Sequence, residues 1–392
     1  MIKKILIFLF FVFAVTQPAC AQRNGERIFR QLRKWLTTRQ TAVQLPAATE
    51  ELSHLSAAVH DQVAAMQQLT ATRADLSKRG FVPVHPDLWK PLPPEMAAYT
   101  RSVFRARSLG EQSEVTFSGV AFKTTYLGQE EMFGVVAAHA LSPEPGMSLL
   151  GSEFTAEVFG EGGFTTVPAK LVQVSATSTL DLALIKFRPE DEKLFTPLAL
   201  AKQEVSADEK IVGLGFGQGK WVLSKRSFLA KTPFSIRTSF TVPWVNRGGL
   251  CGSAVLNAKH ELLGIHTGST RDVEYRDIGY ATPVEFLNTL VEAYHNNGNA
   301  TFPLYLNGEK IASLQPDEFI SFVRLKDDQG RIIWRREVRD KFPYQKIVER
   351  LPRARYIELS INKAIWTGNY LQQDHLLTRS VEYDFKTRRE VR

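Results

Sequence analysis

The spacing of apolar positions divides the 392-residue chain into stretches of different character. An unbroken apolar run extends from Ile5 to Val15. Residues 26–44 carry Ile28, Phe29, Leu32, Trp35 and Leu36 with Arg and Gln between them. Residues 48–79 repeat the pattern with Leu52, Leu55, Val59, Val63, Met66 and Leu69, and Gly80 follows as a stop. Both stripes have helical spacing and predict two helices within residues 22–80, read as a cap or a pro-segment. Five prolines then recur at 83, 86, 91, 93 and 94. Proline stiffens the chain and lacks an amide donor, so residues 81–110 read as an extended linker.

From about residue 111 the pattern becomes short β-rich runs separated by Gly, Ser, Asn and Pro. The runs include Val115–Phe122, Phe133–Ala137, Phe154–Phe159, Leu180–Phe187, Lys210–Gly215, Ala254–Leu256 and Leu262–Ile265. Many short strands at this spacing predict a mainly β domain, a barrel or sandwich, over residues 111–300. It closes on Thr282-Pro283-Val284-Glu285, which reads as a capping box with Thr282 at the N-cap and Pro283 at the first helical position. Phe286, Leu287, Leu290, Val291 and Tyr294 form the apolar stripe of the helix that follows, ended by Gly298. Residues 301–392 predict a separate small β domain. It contains a hairpin of Ile320–Leu325 and Ile332–Val338 about Asp327-Asp328-Gln329-Gly330, and further strands at Tyr356–Ile361 and Ser380–Phe385.

Composition is ordinary for a globular chain, 44% hydrophobic and 23% charged. Two features change the picture. Lys3 and Lys4 precede the short apolar run, and Ala19-Cys20-Ala21 follows it, which describes a secretory signal peptide over residues 1–21. The run is shorter than the ~20 apolar residues of a membrane span. Cleavage after Ala21 implies a secreted or periplasmic protein; a lipoprotein signal with Cys20 lipidated is the alternative. The second feature is cysteine usage: beyond Cys20 the chain holds only Cys251, so no internal disulfide forms in the mature protein. A lone thiol in an oxidising compartment invites a functional reading beside that of a small buried apolar residue. The net charge of +8 is spread along the chain without a basic block, so nucleic acid is not expected as a partner.

Three local patterns carry candidate chemistry. Val135-Val136-Ala137-Ala138-His139 sets a histidine just after a buried strand, at the rim of a cleft. Leu180-Asp181-Leu182 sets an acid at the head of an apolar strand, where burial without a partner is costly and a histidine donor resolves the cost. Gly248-Gly249-Leu250-Cys251-Gly252-Ser253 surrounds a thiol with glycines that permit a sharp turn, so that backbone N–H groups converge on a carbonyl oxygen. Ser253 lacks that glycine frame and is not the candidate nucleophile. The alternating glycines Gly213, Gly215, Gly217 and Gly219 lack a phosphate-loop spacing and read as a strand running into a turn. Nothing resembles metal-ligand spacing, and no metal or cofactor is expected.

The order His139, Asp181, Cys251 over residues 111–300 resembles that of the chymotrypsin-like protease superfamily, in which two six-stranded β-barrels share a cleft. The sequence Ile278-Gly279-Tyr280-Ala281-Thr282-Pro283 and the helix after it fit as well. Gly249-Leu250-Cys251-Gly252-Ser253-Ala254-Val255-Leu256-Asn257, followed by Leu263-Gly264-Ile265-His266-Thr267-Gly268, is similar to the bacterial glutamyl endopeptidases. The resemblance implies a chymotrypsin-like double β-barrel and an endopeptidase. In it His139 is the base, Asp181 orients the base, Cys251 is the nucleophile, and the N–H groups of Gly249 and Cys251 form the oxyanion hole. It also implies that His266 lines a pocket for Glu or Gln, with Asn246, Arg247 and Thr267 as further substrate-binding residues. Two departures stand out. The nucleophile is a cysteine, as in the polyprotein-processing proteases of picornaviruses, and Asn246 stands where threonine is usual. The alternative to an enzyme is a catalytically inactive binding protein on a protease scaffold.

Overall fold

The computed structural model describes residues 98–109, 114–141, 153–160, 163–202, 205–206, 209–218, 220–242, 247–271, 277–338, 342–366 and 371–391. The chain divides into two compact units, residues 1–86 and 87–392. The first unit lies outside the described residues, and with it the expected signal peptide, Cys20 and the helical region.

Six strands close the first barrel: β1 (Val103–Leu109), β2 (Glu114–Tyr126), β3 (Gln129–Ala137), β4 (Glu153–Gly160), β5 (Gly163–Val174) and β6 (Leu182–Phe187), in the order β1-β2-β3-β6-β5-β4. β1 falls inside the stretch read as linker. Its pairing with β2, from Val103 opposite Val120 onward, and with β4 closes the barrel, so the barrel begins at Val103 rather than near residue 111. The second barrel comprises β7 (Lys210–Gly217), β8 (Lys220–Thr232), β9 (Ser235–Ser239), β10 (Ala254–Leu256), β11 (Leu262–Arg271) and β12 (Asp277–Pro283), in the order β10-β11-β12-β9-β8-β7. The fold is a chymotrypsin-like double barrel.

Continuous apolar runs mark strands buried on both faces. Along β3, Phe133 and Val135 join a core shared with the second barrel, while Met132 and Val136 fill the interior of the first. β6 divides in the same way, Leu182 and Leu184 to one core and Ala183 and Ile185 to the other.

Helix α1 (Glu285–His295) follows the second barrel. The expected capping box does not form. Thr282 and Pro283 belong to β12, and the Thr282 hydroxyl donates to the Leu180 carbonyl at 2.6 Å instead of capping the helix. Val284 takes the N-cap position without a side-chain cap.

The C-terminal segment holds the hairpin β13 (Phe302–Leu306) and β14 (Glu309–Leu314). A five-stranded sheet is built from β15 (Glu318–Lys326), β16 (Ile332–Glu337), β17 (Tyr356–Trp366), β18 (Leu371–Asp384) and β19 (Arg389–Glu390), with a short helix α2 (Tyr344–Val348). It shares its core with the second barrel and α1. Phe302 meets Phe234 and Phe286 edge-on with centroids 6.0 and 5.3 Å apart. The segment also reaches the first barrel. The Ala176 N–H donates to the Pro316 carbonyl at 2.8 Å, and the Thr179 hydroxyl to the Glu318 carbonyl at 3.1 Å. No helix among the described residues is long and apolar enough to cross a membrane.

Candidate active site

His139 stands in a single 3-10 turn, Ala138–Leu141, that leaves the end of β3. The Ala138 N–H donates to the Asp181 carbonyl at 3.0 Å and ties the turn to the head of β6. Asp181 has φ +55°, a left-handed conformation that Asp tolerates better than most residues. Its N–H donates to the Ala176 carbonyl at 3.0 Å, so the turn preceding β6 is closed on itself.

The Asp181 side chain is 3% exposed as a residue and grips His139 twice. Its Oδ1 accepts from the His139 backbone N–H at 2.9 Å, and its Oδ2 accepts from Nδ1–H at 2.8 Å. A carboxylate can only accept, so Nδ1 carries the proton and Nε2 is the edge left for Cys251. The His139 side chain is 30% exposed and so reaches the surface of the cleft. Burial by itself disfavours the imidazolium. Asp181, through its negative charge and its hydrogen bond, and the neighbouring Cys251 outweigh it and hold the His139 pKa well above its ordinary 6.5.

Cys251 is a half-buried free thiol. Its loop depends on two glycines in left-handed conformations, Gly249 at φ +89° and Gly252 at φ +91°. A methyl group at Gly252 would lie 1.9 Å from the Ser118 carbonyl oxygen. The loop is sewn to the first barrel through buried Ser118. That residue's hydroxyl donates to the Gly249 carbonyl at 2.8 Å and accepts from the Phe216 N–H at 2.8 Å, and its own N–H donates to the Cys251 carbonyl at 3.1 Å. Among the described residues no acceptor is taken by the N–H groups of Gly249 and Cys251, which leaves two donors beside the thiol.

His266 and Thr267 lie on β11, directly behind the thiol loop. The Gly252 N–H donates to the His266 carbonyl at 2.7 Å, and the His266 N–H to the Ser253 carbonyl at 2.9 Å. The His266 ring is buried, 2% exposed, and stacks on Phe240 with centroids 4.9 Å apart. Arg247 also packs on the Phe240 ring, and its guanidinium pairs with Asp277 at 2.5 Å, so its charge is compensated. Asn246 lies outside the described residues.

The structure therefore brings His139, Asp181, Gly249 and Cys251 to one place, with His266, Thr267 and Arg247 behind them. Ser118 and Arg226 escaped the sequence reading. Ser118 is one serine among the ordinary residues of β2, and Arg226 sits in a polar run of β8 that gives no strand signal.

Residues 118–265 match the family model described as a trypsin-like peptidase domain. This part of the chain is similar to trypsin-like peptidase domains, in keeping with its two closed six-stranded barrels. Solved structures with similarity to it include the apo protease domain of MamO from Magnetospirillum magneticum. That match has 19% identity over 48% of this chain and 95% of that one, with a TM-score of 0.36. Another is an inactive form of Rv3671c from M. tuberculosis H37Rv, at 16% identity over 55% of this chain and 96% of that one, also with a TM-score of 0.36. Among curated proteins none matches the sequence.

Proposed function

We propose that the chain is a cysteine endopeptidase that acts through Cys251, His139 and Asp181. One observation carries this reading: the His139 ring is held through Nδ1 by buried Asp181 at 2.8 Å, and Cys251 lies close enough to the same ring to raise its pKa. In the reaction, His139 Nε2 takes the thiol proton and Sγ attacks the scissile carbonyl carbon. The N–H groups of Gly249 and Cys251 donate to the oxyanion. The tetrahedral adduct collapses, the C–N bond breaks, and His139 passes its proton to the departing amine. Water, deprotonated by His139, then attacks the thioester, releasing the acid and restoring the thiol. Asp181 holds one tautomer and one ring orientation throughout.

Residues behind the thiol supply substrate contacts. His266 faces the residue before the cut, favouring Glu or Gln, with Arg247 and Thr267 around it. The Thr267 hydroxyl is buried without a hydrogen-bond partner among the described residues, as suits a group that a bound peptide completes. The protein acts after export, its signal removed after Ala21; mass analysis of the mature N-terminus distinguishes this from a lipidated Cys20.

A peptidyl vinyl sulfone tests the chemistry. It is expected to label Cys251 in the native protein and to fail in His139→Ala. Labelling that persists at the native rate in His139→Ala would mark Cys251 as an ordinary accessible thiol and favour an inactive binding scaffold.

A further inference from the structure

A cavity of about 670 Å³ is lined by β2, residues 199–202, the second barrel and the start of α1, and none of its lining residues belongs to the candidate catalytic site. Its floor is apolar. Ile236 and Leu263 belong to the buried interior of the second barrel, Val205 and Phe228 pack half-buried against that interior, and buried Val284 adjoins them. Its rim is basic. Lys123, Lys202 and Lys231 stand exposed around the opening, against one lining acid, Glu285. Lys123 pairs with Glu130 at 2.7 Å and Lys231 with Glu285 at 3.4 Å. Lys202 makes no ion pair among the described residues.

The backbone supplies a third feature. Residues 198–201 run extended between two strands and bond to each in turn. The Leu198 N–H donates to the Ala121 carbonyl of β2 at 2.9 Å. On the other side the Ala201 N–H donates to the Leu262 carbonyl at 2.9 Å, and the Leu262 N–H to the Ala199 carbonyl at 2.8 Å. In an extended chain alternate residues turn their amides to the same side. The N–H and carbonyl of Leu200 therefore face the side that Leu198 faces, towards β2. Pairing with β2 has ended there, and the next β2 residues, Lys123 and Thr124, line the cavity instead. Among the described residues neither the N–H nor the carbonyl of Leu200 has a partner. One donor and one acceptor, spaced as in a strand, are thus open beside an apolar floor with a basic rim.

We propose that this cavity is a docking site for an extended acidic segment of a partner protein, which adds to the backbone of Leu200 as a short strand. The side chains of such a segment alternate between two directions. Apolar residues at every second position cover Phe228, Ile236 and Leu263, and acidic residues between them meet Lys123, Lys202 and Lys231. A fatty acyl chain would cover the same floor but leave the Leu200 groups unbonded, which favours a peptide. This docking goes beyond the protease reading and does not depend on it.

The test uses the full chain carrying Cys251→Ala, so that the ligand stays intact. Fluorescence anisotropy follows a short fluorescein-labelled peptide of alternating Glu and Val. Binding is expected with a Kd on the order of micromolar, weakening as salt is added. Lys202→Glu, an exposed change that breaks no ion pair, should weaken it by about fivefold or more. Ala199→Trp, which sets a ring in the cavity from an exposed position, should abolish it. The same peptide methylated on its amide nitrogens keeps the side chains, loses the donors and should not bind. Circular dichroism checks that both variants fold, and Lys202→Glu decides alone if Ala199→Trp does not. Absence of peptide binding would overturn the proposal. So would equal binding of the methylated peptide or of a Lys–Val counterpart, or equal binding by the parent and Lys202→Glu. Laurate that binds in a Lys202-dependent way while the peptide does not would assign the cavity to an acyl ligand and overturn it as well.

Discussion

Asp181 holds His139 at two points, one carboxylate oxygen on the backbone N–H at 2.9 Å and the other on the ring Nδ1 at 2.8 Å. The second contact sets the tautomer. The first stops the ring from swinging with its own backbone. Together they fix the orientation of the His139 ring.

Asp181→Asn is the clean probe of that arrangement. Asparagine also tolerates the left-handed backbone at φ +55°, so the turn is kept while the charge is lost. The expected loss in kcat is about 10²–10³-fold with little change in KM. This is smaller than for a serine nucleophile because the thiol needs less help from the base. Steady-state kinetics on a peptide amide measures it, and a loss confined to KM would count against the assigned role.

The raised His139 pKa has a signed consequence for stability. A group whose folded-state pKa lies above its unfolded value stabilises the fold fully below the unfolded value. Here that means below about 6.5, with the contribution shrinking between 6.5 and the raised value and vanishing above it. In a Cys251→Ala background, the stability gap between the parent and Asp181→Asn should therefore narrow as pH rises through that window. Urea unfolding at several pH values gives the gap directly, and one that widens with pH contradicts the assignment.

Gly252→Ala tests the loop. The new methyl would meet the Ser118 carbonyl at 1.9 Å, and φ +91° is strained for any side chain. The expected result is a loss of about 1–3 kcal/mol from the strained backbone, with activity abolished because the Gly249 and Cys251 N–H groups are displaced. A variant that keeps both its melting temperature and its turnover would show that the loop geometry is not what holds the thiol in place.

The C-terminal segment bonds to the turn that precedes Asp181. Thr179 and Ala176, in the turn that presents Asp181, bond to the carbonyls of Glu318 and Pro316, and Ala176 packs in a cluster with Phe319 and Ala364. Thr179→Val keeps the shape and removes the hydroxyl. It should lower kcat about 3–10-fold at unchanged KM, corresponding to about 1 kcal/mol for one buried hydrogen bond. The His139 nitrogen resonances should shift as well. If kcat and those resonances stay fixed while only the melting temperature drops, the contact is structural and no more.

Much of this was legible in the sequence, and the exceptions have physical causes. β3 and β6 are readable because both faces are buried and the apolar run is continuous. β5 and β8 are not: β5 exposes Thr165, Thr166, Pro168 and Lys170 between its buried residues, and β8 carries Lys220, Lys225, Arg226 and Lys231. β1 was masked by its proline-rich approach. Thr282 misled because its local pattern is that of a cap, while the Leu180 carbonyl across the barrel claims its hydroxyl. His139, Asp181 and the Cys251 loop could be read because each carries a local signature. Arg226 carries none: it is buried against Gly213 and meets His266 Nδ1 at 3.3 Å, contacts that only the folded barrel makes.

The most direct measurement is cleavage of a diverse peptide library by the mature chain beside a Cys251→Ala control. The account predicts peptide-bond cleavage that disappears in the control, with Glu enriched immediately before the cut. Cleavage that survives in Cys251→Ala, or none from either protein at any pH between 5 and 9, would contradict it.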